Sequence, residues 1–231
     1  MDIKFSGVTK IFEPDIVALE DVYLNIDRGE FVYLVGETGS GKTTLMRCIF
    51  REVIPSRGHI SVGGRALRKM GRFELALFRR DIGVIFQDFS LLPNITAFEN
   101  VAFVLEVMGV PSREIEERVA DVLKTVGIWR RRNLYPPQLS GGEQQRLAIA
   151  RAIVNEPSLI LADELTGNLD SHTADEIMQL ILDINAAGTT VIMATHNQAI
   201  VDTYRHRVVE IRRGRIVRDD KEGGYEADVT Y

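Results

Sequence analysis

A run of eight residues, Gly36-Glu37-Thr38-Gly39-Ser40-Gly41-Lys42-Thr43, constrains this chain more than any other stretch. The apolar segment Phe31-Val32-Tyr33-Leu34-Val35 stands before it, and residues 43–50 after it read as a helix. Strand, glycine-rich loop and helix, in that order, is what a phosphate-binding loop needs. Glycines let successive backbone N–H groups curl around an oxyanion, and the helix N-terminus adds a partial positive charge. Lys42 is spaced to reach the β- and γ-phosphates, and the Thr43 hydroxyl to ligate Mg²⁺. A Gly/Ser surface loop that matched by accident would have no reason to sit between a strand and a helix. The segment predicts binding of a nucleoside triphosphate with Mg²⁺.

Composition limits what surrounds that loop. A length of 231 residues fits one large domain, or one domain with an inserted subdomain. Hydrophobic residues at 45% and charged residues at 26% are the balance of a globular chain with a core. The formal net charge of −5 argues against a nucleic-acid partner, which calls for a basic surface. Cys48 is the single cysteine, so an intrachain disulfide is excluded; its spacing from Leu45 and Ile49 predicts a packing role. No stretch approaches 18 consecutive apolar residues, and Met1-Asp2-Ile3-Lys4 opens no signal-peptide core. The chain is therefore expected in the cytosol without direct membrane insertion, any membrane role coming through a partner.

Residues 3–35 read as antiparallel strands, with Val22, Leu24 and Ile26 alternating with Tyr23, Asn25 and Asp27 before the turn Asp27-Arg28-Gly29-Glu30. His59-Ile60-Ser61-Val62 before Gly63-Gly64 signals a further hairpin. Later strands, at 82–86, 159–162 and 190–194, are short apolar runs without alternation, as in parallel strands covered on both faces. Between 89 and 157 the pattern turns helical: Ile115, Val119, Val122, Leu123 and Val126 share one face. Further helices are expected over 143–154 and 171–187. The tail after Gly223 is short, polar and terminal, so fraying is its default.

Polar residues gather at the predicted strand ends. Leu159-Ile160-Leu161-Ala162 runs into Asp163-Glu164, and buried carboxylates need a partner. Ligands sit at the C-terminal ends of parallel strands, which places Asp163 to hold Mg²⁺ and Glu164 to polarise an attacking water. His196 ends the next apolar strand and Gln87 follows the strand at 82–86. Both carry a structural alternative: a satisfied surface histidine and a loop glutamine. Ser140-Gly141-Gly142-Glu143 opens a helix as a second glycine-rich anion site. One chain with one triphosphate has no use for two cradles, whereas a symmetric dimer does, with each chain's second loop closing over the other's nucleotide.

In this order the phosphate loop, Gln87, Leu139-Ser140-Gly141-Gly142-Glu143-Gln144-Gln145-Arg146, Leu161-Ala162-Asp163-Glu164, Gly167-Asn168-Leu169-Asp170 and His196 resemble the full motif set of ABC-transporter ATPase subunits. The resemblance covers essentially the whole chain. It implies an α/β fold: a P-loop NTPase (RecA-like) core with an N-terminal antiparallel β subdomain and an inserted α-helical subdomain. One domain would span 1–231, with 1–88 and 158–231 as core and 89–157 as the helical segment. It implies an ATPase with ATP and Mg²⁺, in which Gly36 to Thr44 hold phosphate, Thr43, Gln87 and Asp163 hold the metal, and Lys42, Gln87, Glu164 and His196 act in catalysis. Ser140, Gly141 and Gly142 would contact the γ-phosphate of the opposite protomer, Asp170 would lie at the seam of an ATP-bound homodimer, and Phe12 would stack on adenine. Runs at 83–93, 149–155, 205–211 and 215–219 are similar to the branch of the family that serves bacterial cell division with a polytopic membrane protein, at the cytoplasmic face of the membrane near the septum. The ATPases of lipoprotein-releasing and macrolide exporters share the segment around Asp163 and remain the alternative. Leu165 stands where the family has proline, a change expected to loosen the aim of Glu164.

Overall fold

The computed structural model describes residues 1–167 and 169–225. Its frame is a six-stranded sheet in the order β10-β9-β3-β8-β7-β6. Strands β3 (Phe31–Val35), β6 (Ile82–Ile85), β7 (Leu159–Asp163), β8 (Thr190–Ala194) and β9 (His206–Arg212) pair in parallel, and β10 (Arg215–Gly223) closes one edge antiparallel to β9. The expectation of antiparallel pairing across 3–35 holds for the first two strands and fails for the third. β3 lies between β8 and β9 in parallel register, Val32 opposite Ile192 and Arg207. Its flanks decide this: all five β3 residues are buried, a burial that only a central strand covered on both faces achieves.

A second sheet, β2-β1-β4-β5, is antiparallel, built from β1 (Ile3–Phe12), β2 (Ile16–Ile26), β4 (Arg57–Val62) and β5 (Arg65–Ala66). The alternation expected in β2 is present, Val22, Leu24 and Ile26 facing in and Tyr23 standing 65% exposed. Two clusters of apolar side chains pack the two faces of the large sheet. One gathers Val32 and Leu34 with the small sheet, α1 (Lys42–Ile49) and Phe78 of α2 (Arg72–Arg80). The other gathers Phe31, Tyr33 and Val35 with α3 (Ala97–Val107), α4 (Ser112–Thr125), α5 (Gly141–Ile153), α6 (Ser171–Ala186) and α7 (Gln198–Thr203). Successive residues of β3 thus serve opposite layers, as the two-residue period of a strand requires. Cys48 is fully buried in the first cluster, where burial pushes its thiol up to about 12; it packs and does not react.

Three features were not read from the sequence. α2 is mostly exposed (Phe73 at 78%) and faces the core through Phe78 and the partly buried Leu75. β9 and β10 form a hairpin whose Arg207 bridges Glu30 at 2.9 Å and Asp219 at 2.7 Å, tying both strands to the turn that precedes β3. The tail expected to fray from Gly223 is held through Tyr225; the remaining tail positions, and Asn168, lie outside the described residues.

Candidate functional site

Because β3, β6, β7 and β8 run parallel, their C-terminal ends share one edge, and Gly36, Asp163 and Thr195-His196 all leave the sheet there. The loop after β3 needs glycine for reasons now visible. Gly36 has φ 138° and an added Cβ would lie 2.2 Å from the Ile211 carbonyl. Gly41, the residue that begins α1, has φ 116° and would place a Cβ 2.5 Å from the Ala18 carbonyl. No side chain caps α1 and no acidic residue stands in its first turn, so its leading N–H groups stay free for an anion.

Lys42 is 8% exposed and arches back over the loop, its Nζ donating to the carbonyls of Gly36 at 2.7 Å and Glu37 at 3.0 Å. An ammonium has three donors, so one remains for phosphate. Ser40 is buried and its Oγ has no partner within the protein. A buried hydroxyl without a partner is costly; inside a loop of this shape it fits a bound oxyanion. The Thr43 hydroxyl donates to Asp163 Oδ2 at 3.0 Å, and burial raises the Asp163 pKa, an effect the Thr43 hydrogen bond partly offsets. These two oxygens suit a hard cation. Among the described residues no three His, Cys, Asp or Glu side chains are grouped to hold a metal alone.

Glu164 follows Asp163 at φ 54°, a left-handed conformation that costs a non-glycine residue on the order of 1–3 kcal/mol. Its N–H donates to the Ala194 carbonyl of β8, and its Oε2 lies 2.7 Å from His196 Nδ1 without the alignment of a hydrogen bond. The Glu164 side chain is 13% exposed and that of His196 63%. Leu165, which stands where the family has proline, is buried in the larger core cluster.

Two cavities flank the loop. One, of about 290 Å³, has Phe12 on one wall with Ile16, Val17 and Ala18, and Gly39, Lys42, Thr43 and Thr44 on the other. Phe12 is 37% exposed, with Lys10 Nζ 4.7 Å from its ring centroid. The larger, about 570 Å³, opens between Gly36, Glu37 and Thr38 and the side chains of His196 and Tyr225. Sequence reasoning missed Tyr225 and the apolar start of β2; exposed apolar residues at a strand's first positions were the available signal for the latter. Gln87, two residues beyond β6, is exposed and lines neither cavity.

Ser140, Gly141, Gly142 and Asp170 are not brought to these cavities within one chain. Ser140 caps α5 through a reciprocal box: its Oγ accepts from the Glu143 N–H and Glu143 accepts from the Ser140 N–H. Asp170 caps α6 by accepting from the Thr173 N–H and hydroxyl. An added Cβ on Gly142 would meet Thr173 Cγ2 at 2.9 Å, so the two helix starts adjoin.

A family model described as ABC transporter matches residues 19–167. The cell division ATP-binding protein FtsE of Streptococcus pneumoniae is 48% identical, covering 98% of this chain and 98% of its own length. FtsE of Mycobacterium tuberculosis is also 48% identical, over 99% of this chain and 100% of its own. The methionine import ATP-binding protein MetN of Haemophilus influenzae is 41% identical, over 96% of this chain and 65% of MetN. Among solved structures, a dimeric ATP-binding cassette in a post-hydrolysis state, bound to ADP and Pi, superposes with a TM-score of 0.88 at 38% identity, covering 96% of this chain and 99% of that one. With the glycine loop, the paired Thr43 and Asp163, and Glu164 against His196 on one sheet edge, this chain belongs to the ABC transporter family.

Proposed function

We propose that the chain is the ATP-hydrolysing subunit of a membrane-associated complex that acts in bacterial cell division. The observation that carries hydrolysis is the meeting of Lys42, Thr43, Asp163, Glu164 and His196 at the ends of three parallel strands. The cell-division context rests on relatives of that name, 48% identical over nearly the full length of both chains. No observation favours the exporter alternative over them.

In this reading Phe12 stacks on adenine, residues 36–44 wrap the phosphates through backbone N–H groups, and Lys42 spends its third donor on the γ-phosphate. Thr43 and Asp163, with Gln87, would hold Mg²⁺, which when bound supplies positive charge against the phosphate oxygens. Glu164 accepts the proton of the attacking water, and His196, beside it, orients the γ-phosphate and steadies the developing negative charge. Ser140, Gly141 and Gly142 cover the opposite protomer's γ-phosphate, with Asp170 at the seam. Residues 89–157 act as the segment that carries this second loop. Two ATP molecules then hold the dimer closed and hydrolysis releases it, a population shift with a defined differential contact.

Among the described residues no helix is long and apolar enough to cross a membrane. In this reading the chain works at the cytoplasmic face through a polytopic partner of the FtsX kind, through which closure activates peptidoglycan hydrolases at the septum. The test replaces Glu164 with Gln and follows both turnover and mass in solution. Turnover should fall roughly 10²–10⁴-fold, with an ATP-dependent dimer accumulating. A monomer that hydrolyses ATP at the unaltered rate refutes the base assignment and the composite site together. Purification from native membranes decides the context: a solute exporter as companion would overturn the division reading.

A further inference from the structure

The C-terminal hairpin ends at the hydrolytic site. β10 finishes at Gly223, where an added Cβ would sit 2.9 Å from Cβ of Asp220 on the same strand and 3.3 Å from Cβ of Val208 on β9. Gly224 is buried as well, and the first large side chain after the two glycines is Tyr225. That residue is pinned from two sides. Its N–H donates to Asp202 Oδ1 at 2.8 Å, and the Arg218 guanidinium donates to the carbonyls of Gly224 at 3.2 Å and Tyr225 at 2.5 Å. Arg218 is itself 9% exposed and held 3.4 Å from Glu210.

The anchored ring packs against the larger core cluster and lines the 570 Å³ cavity onto which Gly36, Glu37, Thr38 and His196 also open. Burial and the nearby carboxylates of Glu164 and Glu210 raise the Tyr225 hydroxyl pKa, so it stays protonated within electrostatic reach of the proposed base. His196 needs such a neighbour. Its side chain is 63% exposed, and its 2.7 Å approach to Glu164 lacks hydrogen-bond alignment. Asp202, the anchor, stands on α7, the helix that begins two residues after His196. One short stretch of chain thus carries both the histidine and the peg that fixes the tyrosine.

We propose that Tyr225 is a positioning residue of the hydrolytic site, walling the cavity so that His196 is confined to the orientation in which it faces the γ-phosphate. This rests on the ATPase reading above. It makes the C-terminal hairpin part of the active site, and it gives Tyr225 an effect on turnover rather than on ATP affinity.

The test measures kcat and KM for ATP of the full chain, purified with the membrane protein that accompanies it. The variants are Tyr225→Ala, Tyr225→Phe, Asp202→Ala, His196→Ala and the Tyr225→Ala/His196→Ala pair. Tyr225→Ala should lower kcat roughly 10- to 10²-fold, up to the scale of a catalytic group misplaced by about 1 Å, with KM within about twofold. Tyr225→Phe, which keeps the ring, should retain at least about half of kcat. Asp202→Ala, a surface change that spares the fold, should lose about threefold. The double variant should be no slower than His196→Ala alone, because a residue acting through another adds nothing once that other is gone. A Tyr225→Ala kcat within twofold of wild type, additive losses in the pair, or a loss confined to KM each overturns the proposal. Glu164→Gln separates the two levels. If it hydrolyses normally, the assignment of Glu164 as base, and with it the hydrolytic site on which this proposal rests, fails; if it is inactive while Tyr225→Ala is not, only the role of Tyr225 fails.

Discussion

Gly36→Ala and Gly39→Ala, three positions apart in one loop, ask whether the phosphate cradle is held by backbone conformation alone or also by the strand behind it. Both glycines have positive φ, 138° and 80°. Alanine at either site should cost about 1–3 kcal/mol in backbone strain. The surroundings differ. Around Gly39 nothing lies within 4 Å of an added Cβ, whereas at Gly36 it would stand 2.2 Å from the Ile211 carbonyl and 2.9 Å from Ser40 Oγ. Ordinary contact begins near 3.4 Å, so carbonyl and loop must separate by roughly 1 Å. Ile211 cannot retreat freely, because β9 is paired to β3 on one side and to β10 on the other. The clash therefore adds about 1–3 kcal/mol, the usual size of overpacking. Gly39→Ala should destabilise the nucleotide-free protein by about 2 kcal/mol and Gly36→Ala by about 4 kcal/mol. At roughly 2–4 °C per kcal/mol for a chain of this size, Gly36→Ala should melt about 4–8 °C below Gly39→Ala in scanning calorimetry. Gly36→Ala melting level with Gly39→Ala, or above it, would refute the claim that β9 buttresses the loop.

Phe12→Ala should weaken ATP binding by about 1–3 kcal/mol, the range for a base stacked on an aromatic ring, while Phe12→Tyr restores it. Titration calorimetry reads both, and an unchanged affinity removes Phe12 from the site. His206 stacks on Phe31 with ring centroids 4.6 Å apart, and burial lowers its pKa from 6.5. A histidine whose folded pKa is depressed binds its proton more readily when unfolded, so stability is complete above pH 6.5 and falls as pH drops below it. Denaturant midpoints at pH 5.0 and 7.5 should differ in that direction, and His206→Phe should reduce the difference.

Much of this site was legible because its parts are local. The phosphate loop announces itself through φ values that only glycine adopts without strain, an apolar strand on one side and a helix on the other. Asp163-Glu164 were readable because four apolar residues precede two carboxylates, a pattern that makes sense only at the end of a buried strand. Asp170 was assigned to a dimer seam on resemblance alone, yet within the chain it does a second thing, capping α6, that spacing from Thr173 could have suggested. Tyr225 was hidden because Gly223-Gly224 is also the composition of a loose tail. The two cases differ only in what lies against the glycines.

What the sequence by itself determined, then, is every feature set within a few residues: the glycine loop, the alternation of β2, the helices of the middle segment, the carboxylates at a strand end. What only the tertiary structure decided is which of those features meet. The parallel placement of β3 between β8 and β9, the Arg207 bridge to Glu30 across 177 positions, and the arrival of Tyr225 at the cavity that His196 also lines all depend on partners distant in sequence. Backbone preference and hydrophobic period are properties of a short window of chain. Strand order is chosen by the burial and hydrogen bonding of the whole sheet, a sum that no single window contains.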